Sequence, residues 1–204
     1  MGKHSVSSWI CKADRVQNVR RRLSAVPLLT LVLVAACSHK PAGKEATAGQ
    51  LVQAGLAAVS SGDDAKALSA FQQATAKDPK NVVAHFNLGT IYQRQGNTQT
   101  ALQEYGLALQ SNPDYVPALF NSATIYGDTD PQLAVTTYRK IVTLQPNAPT
   151  AYLNLGLLEA KLKLWAQAGK DLDTAIKQQP DLAQRVPKDV FEGSPAPKPV
   201  TSPS

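Results

Sequence analysis

Four side-chain carboxamides recur along this chain at nearly fixed spacing: Gln53, Asn87, Asn121 and Asn154 stand 34, 34 and 33 residues apart. A carboxamide donates and accepts hydrogen bonds at once, which matches what a peptide backbone offers in return. Such groups at regular intervals suit an extended ligand chain. They suit equally a structural duty, in which each amide ties one helix to the next. From sequence both readings stay open. Val52, Phe86, Phe120 and Leu153 directly precede the amides, Thr90 and Thr124 follow, and Arg94, Asp128 and Lys161 stand at the outer edge. An apolar groove with amide rungs and mixed charge takes a protein or extended peptide bearing an aromatic or aliphatic anchor. For Phe86 and Phe120 the competing role is packing between repeats.

Cys37 is the second reactive position. It follows Val34-Ala35-Ala36 at the end of a mostly apolar run, Leu23 to Ala36, behind Arg20-Arg21-Arg22. The run is too short to span a bilayer comfortably and has the plan of a signal peptide. Val34-Ala35-Ala36-Cys37 resembles the bacterial lipobox, a branched apolar residue and two small residues before the Cys. The resemblance implies cleavage before Cys37 and acylation of its thiol. Small residues give the peptidase access to the bond, and the thiol is the nucleophile that takes the lipid. The alternative is an ordinary cleaved signal with an incidental Cys. The stretch before Arg20 is long for such a leader, and Val16 or Val19 are alternative initiators. Cys11 lies within the leader, so no disulfide is expected.

Little else carries chemistry. Beyond residue 36 the histidines are His39, in a linker, and His85, at a helix-packing position. There is no metal-ligand spacing, no Gly-rich phosphate loop and no nucleophile–base set. The expectation is a protein that is not an enzyme, with no cofactor and no small-molecule substrate.

The elements that position the amides follow from Pro79, Pro113, Pro146 and Pro180, which recur at 34, 33 and 34 residues. Each closes a copy of one pattern, and a fixed period in this range means stacked helix pairs. The second copy reads His85, Leu88, Gly89, Tyr92, Ala101, Tyr105, Ala108 and Pro113. The fourth reads Tyr152, Leu155, Gly156, Ala168, Leu172, Ala175 and Pro180. The first has Leu51, Ala54, Gly55, Ala67, Phe71, Ala74 and Pro79, and the third Leu119, Ser122, Ala123, Tyr126, Ala134, Tyr138, Ile141 and Pro146. This pattern resembles the tetratricopeptide repeat, with His85 where that family usually has Trp. The resemblance implies an all-α solenoid of four helix-turn-helix repeats in a short right-handed superhelix. It also implies that the first helix of each pair lines a concave face. Chaperone-binding relatives grip a C-terminal carboxylate with a Lys one residue before the first amide; that place is apolar in every copy here.

Helical spacing of apolar residues places first helices near 49–60, 83–95, 117–126 and 150–162. Second helices fall near 64–76, 98–110, 131–144 and 166–178. Gly62 and Gly96 break the chain inside the pairs, and Asn97 or Thr98 caps the helix that follows. The third copy is one residue short, which points to a turn at Gly127-Asp128-Thr129-Asp130-Pro131, with Asp130 as N-cap and Pro131 as first helical residue.

These marks divide the chain into a leader (1–36), a lipid-anchored linker (37–47), repeats at 48–81, 82–115, 116–148 and 149–182, and a cap with a Pro-rich tail (183–204). Leu182, Val186, Val190 and Phe191 are candidates to cover the last helix pair. Ser38 to Thr47 reaches at most roughly 35 Å, so the array would sit close to a membrane. The leader holds six Lys/Arg and one acid of the whole chain's 21 and 15, so residues 37–204 are almost neutral. Nucleic-acid binding therefore has no electrostatic footprint. The expectation is a lipid-anchored scaffold of the bacterial cell envelope, at the periplasmic face of an outer membrane where the host has one. It would bind protein partners in pilus, secretion or outer-membrane assembly. The alternative is an adaptor or regulator of an envelope protease or peptidoglycan hydrolase.

Overall fold

The computed structural model describes residues 45–192 and 194. The leader, Cys37, most of the linker and the end of the Pro-rich tail lie outside them. Eight helices follow in order: α1 (Ala48–Ser60), α2 (Asp64–Lys77), α3 (Val82–Arg94), α4 (Thr98–Ser111), α5 (Val116–Thr129), α6 (Pro131–Leu144), α7 (Pro149–Lys161) and α8 (Trp165–Gln178), then a 3-10 turn at Pro180–Arg185. No strand occurs among the described residues. Each helix packs chiefly on its neighbours in chain order, within a pair and from one pair to the next. The result is an α-solenoid of four helix pairs.

Local chemistry sets the helix ends. Thr47 and Gln50 form a reciprocal capping box at α1. The side chains of Asp63, Asn81 and Asp130 accept from the backbone N–H of Lys66, Ala84 and Leu133 at 3.0, 3.0 and 3.1 Å. Asn97 stands at the N-cap of α4, but its carbonyl takes the Thr100 hydroxyl at 2.9 Å instead of a backbone donor. Gly62 and Gly96 turn the chain inside the first two pairs at φ 75° and 77°. Lys163 performs that turn in the fourth pair at φ 62°, without the freedom of glycine.

The third pair departs from the expected turn. Gly127, Asp128 and Thr129 are helical, and α5 runs three residues beyond its expected end. Asp130 alone joins the two helices. Its N–H donates to Tyr126 O at 2.7 Å, closing α5, while its carboxylate caps α6. Where other pairs spend three residues on a turn, this one extends a helix, and that absorbs the one-residue deletion.

Small residues let the paired helices touch. Ala67, Ala101, Ala134 and Ala168 are fully buried at equivalent places in the second helices. A Cβ added to Gly89 would stand 2.5 Å from Tyr105 Cε1 and 3.1 Å from Ala101 O. The same holds for Gly55 against Phe71 and Gly156 against Leu172. Polar ties join successive pairs at the prolines. The ring Nε2 of His85, the ammonium of Lys140 and the amide of Gln178 reach the carbonyls of Pro79, Pro113 and Pro146 at 3.0, 2.7 and 2.8 Å. At the C-terminal end Leu182 and Phe191 are buried with α8, and Val186, Val190 and Trp165 pack around them.

Gly89→Leu is expected to lose roughly 1–3 kcal/mol, because the Tyr105 ring has nowhere to move. Gly106→Ala, in the same pair but facing open space, should gain about 0.5–1 kcal/mol by removing a flexible residue from a helix interior. Denaturant titration of the two variants checks both signs.

Candidate binding groove

The four amides lie on α1, α3, α5 and α7, the first helices of the pairs, and their surroundings differ. Asn121 Nδ2 donates to the Tyr105 hydroxyl at 3.0 Å, and Asn154 Nδ2 donates to the Tyr138 hydroxyl at 3.0 Å. In each case a residue of one repeat reaches a ring of the preceding repeat, sixteen positions earlier. The chains of donors continue inward. Tyr105 donates to Gln93 Oε1 at 2.7 Å. Thr124 gives its hydroxyl proton to Phe120 O at 3.0 Å, so Tyr138 must supply the proton of the Tyr138–Thr124 bond, also 3.0 Å. Burial pushes the Tyr138 phenol above its ordinary value, and its bonds to Thr124 and Asn154 offset part of that rise.

The first two amides lack such a partner. Sixteen positions before Asn87 the ring is Phe71, which has no hydroxyl. Asn87 Nδ2 instead donates to Val83 O of its own helix at 2.7 Å. Gln53 is exposed on the first helix of the array.

The other groove candidates divide between core and rim. Phe86 is partly buried, with its ring 5.9 Å from Tyr105 and 5.5 Å edge-on from Tyr115. Phe120 meets Tyr138 edge-on at 5.5 Å. Both rings therefore belong in part to the core, and Val52 and Leu153 lie wholly in it. Thr90 donates to Phe86 O at 3.0 Å. Arg94 pairs with Asp64 across the first two repeats. Lys161 donates to Gly127 O at 3.4 Å.

These contacts bring Thr124 and Asn154 into one cavity of about 210 Å³ between α5, α6 and α7. Tyr138, Leu157 and Leu158 contribute its apolar walls. The bonds to the tyrosines use the N–H side of Asn121 and Asn154, so each carbonyl oxygen stays available as an acceptor. A site of this kind, apolar with a few fixed polar groups, anchors a side chain and reads the backbone beside it. Among the described residues no cluster of His, Cys, Asp or Glu gathers as metal ligands. No described helix is long and apolar enough to cross a membrane.

The tyrosine hydroxyls and Gln93 are the members of the site that sequence reasoning missed. The signal was present: Tyr105 and Tyr138 each precede an Asn by sixteen residues, while Phe71 and Leu172 hold the same place without a hydroxyl.

Models of the tetratricopeptide repeat family match residues 70–103 and 126–183. These matches identify the stacked helix pairs as tetratricopeptide repeats, and the array has the fold of that class. Over 65 residues, 31% of this chain and 36% of the relative, it is 46% identical to the uncharacterized protein ycf37 of Pyropia yezoensis. Over 100 residues, 47% of this chain and 58% of the relative, it is 31% identical to the photosystem I assembly protein Ycf3 of Synechococcus sp.. The chain thus spans between about a third and three fifths of the length of these relatives. Among solved structures, YrrB, described as a tetratricopeptide repeat protein with an unusual peptide-binding site, superposes with a TM-score of 0.63 at 19% identity, over 67% of this chain and 71% of its own. PilF of Pseudomonas aeruginosa superposes at 0.60 with 24% identity, over 72% and 68%. At these identities the structures show a shared fold.

Asn121→Ala and Asn154→Ala should each cost about 1 kcal/mol of stability, since each removes a hydrogen bond that joins two repeats. Asn87→Ala, whose bond stays within one exposed turn, should change stability by a few tenths at most. Denaturant midpoints of the three variants test the division.

Proposed function

We propose that this protein is a non-enzymatic scaffold tethered to a bacterial envelope membrane through Cys37, and that it gathers protein partners for assembly of an envelope machine. The observation that carries the binding role is the cavity around Thr124 and Asn154, where an amide and a hydroxyl are held in place beside apolar walls. Asn87 extends the site toward the N-terminal end as an amide bonded only to its own helix. The partner segment is extended, with an aliphatic or aromatic side chain entering the cavity and backbone groups meeting the amides. YrrB, which shares the fold and is described as having a peptide-binding site, supports this use of it. The description of Ycf3 as an assembly protein supports assembly duty over regulation of an enzyme. Envelope placement rests on the Val34-Ala35-Ala36-Cys37 sequence alone.

Two measurements test this reading. Metabolic acyl labelling should mark the wild-type chain and fail on Cys37→Ala; release of the wild type from membranes by salt alone would refute the anchor, because acyl binding is hydrophobic. Crosslinking and capture from native membranes should return envelope assembly components. Asn87→Ala should then weaken binding of the captured partner roughly 5-fold, the equivalent of one hydrogen bond of about 1 kcal/mol, with the melting temperature unchanged. Unchanged affinity in Asn87→Ala and in Thr124→Val would remove the groove from the binding role.

A further inference from the structure

A second cavity, of about 450 Å³, lies between α6, α7 and α8 and shares only α6 and α7 with the groove site. One of its lining residues departs from the repeat register. Glu159 comes five residues after Asn154, and the same place after Asn87 and Asn121 holds Tyr92 and Tyr126. At this register position the fourth copy carries a carboxyl group where the second and third carry a phenol ring.

The polar groups here are built in. Glu159 has no solvent exposure. Its Oε1 takes the guanidinium of Arg139, from α6, at 2.7 Å. Its Oε2 is buried and has no hydrogen-bond donor, and Glu159 is among the residues that line the cavity. Asp171 of α8 adjoins it, and two carboxylates can bond to each other only when one of them carries a proton. The charged groups around Glu159 are Arg139 and Asp171, and Lys170 of α8 also lines the cavity; α7 adds no other charge to it. Burial pushes Glu159 up to about 7, Arg139 opposes that rise and Asp171 adds to it. Burial raises Asp171 as well, opposed by Glu159, Lys170 and Arg139.

We propose that this cavity is a second binding site, which takes an alkylammonium group of the kind a lysine side chain presents, with its N–H donating to Glu159 Oε2 and its stem lying along Tyr152. The site lacks a donor at one buried oxygen, and a charged donor stabilises a desolvated carboxylate more than a neutral one does. Two carboxyl groups line the cavity beside one guanidinium, already engaged on Oε1, and the ammonium of Lys170. Lys170 is exposed, so solvent and salt screen its charge.

The proton linkage gives the site a signature. Below its raised value Glu159 carries a proton that an incoming cation must displace; above that value the carboxylate is already free. Affinity should therefore fall about tenfold from pH 8 to pH 6, and binding at pH 7 should release roughly half a proton.

Calorimetric titration of the full chain uses three probes: n-butylammonium, N-acetyl-lysine methylamide and the neutral n-butanol. Binding of either ammonium with that pH dependence and proton release supports the site. A preference for the lysine derivative assigns a protein-borne source, and a preference for butylammonium assigns a free amine. Glu159→Gln, which keeps the shape, and Glu159→Tyr, which restores the side chain of the two preceding copies, should each reduce ammonium binding at least tenfold while circular dichroism stays helical. Equal binding of n-butanol, absence of binding by both ammonium probes, or wild-type binding with no proton release would overturn the proposal.

Discussion

Tyr105 and Tyr138 each fill the crossing of one helix pair and reach out of it. The ring edge of Tyr105 stands where Gly89 leaves room, so α3 and α4 meet at the distance the ring permits. Its hydroxyl then takes the amide of Asn121 in the next pair. One side chain thus sets the spacing inside a repeat and the register between repeats. The contact is demanding in both directions. A residue larger than glycine pushes the ring away, and a ring without a hydroxyl leaves the following amide with no partner across the joint. Phe71 is the second case, and Asn87 turns back onto its own helix as a result. The amides are therefore not a uniform ladder: the last two tie successive repeats together, and Asn87 is committed only to its own turn.

Much of the fold was legible from the period of the prolines and from the small residues that accompany it. Seven of the eight helices end within a residue or two of where apolar spacing puts them. The exception, α5, misled because Gly-Asp-Thr-Asp-Pro is turn-forming by composition. Pairing with α6 outweighed that local preference, and Asp130 was enough to make the corner. The site was less legible. Residue types located the amides, but not the partner of each one, because hydrogen bonding across repeats depends on a second position sixteen residues away. Leu153 and Val52 look like groove residues beside their amides and are in fact core, since a helix turns its neighbouring residue about 100° from the amide face. Glu159 escaped notice because a lone carboxylate in a helix reads as solvated; only comparison with Tyr92 and Tyr126 marks it as a polar group placed where a ring belongs.

The repeats thus differ most where their inner polar residues change. His85 stands at a place that holds Leu119 and Tyr152 in later copies, and it is buried between Glu104 at 2.7 Å and the carbonyl of Pro79 at 3.0 Å. Two repeats further on, the buried acid Glu159 pairs with the half-exposed Arg139. In a stack whose pairs otherwise repeat one another, such groups give each joint its own chemistry and discourage one repeat from packing against the wrong neighbour.

Because each helix rests chiefly on those next to it in the chain, almost nothing in the array waits for a distant segment to arrive. Contacts of short sequence separation close quickly. A chain emerging from a ribosome or a translocation pore can complete one pair as soon as roughly thirty residues are free and then add the next upon it, so order is gained as a growing front. The Pro180 turn with Leu182 and Phe191 comes last in that sequence and closes the apolar face that every earlier stage leaves open.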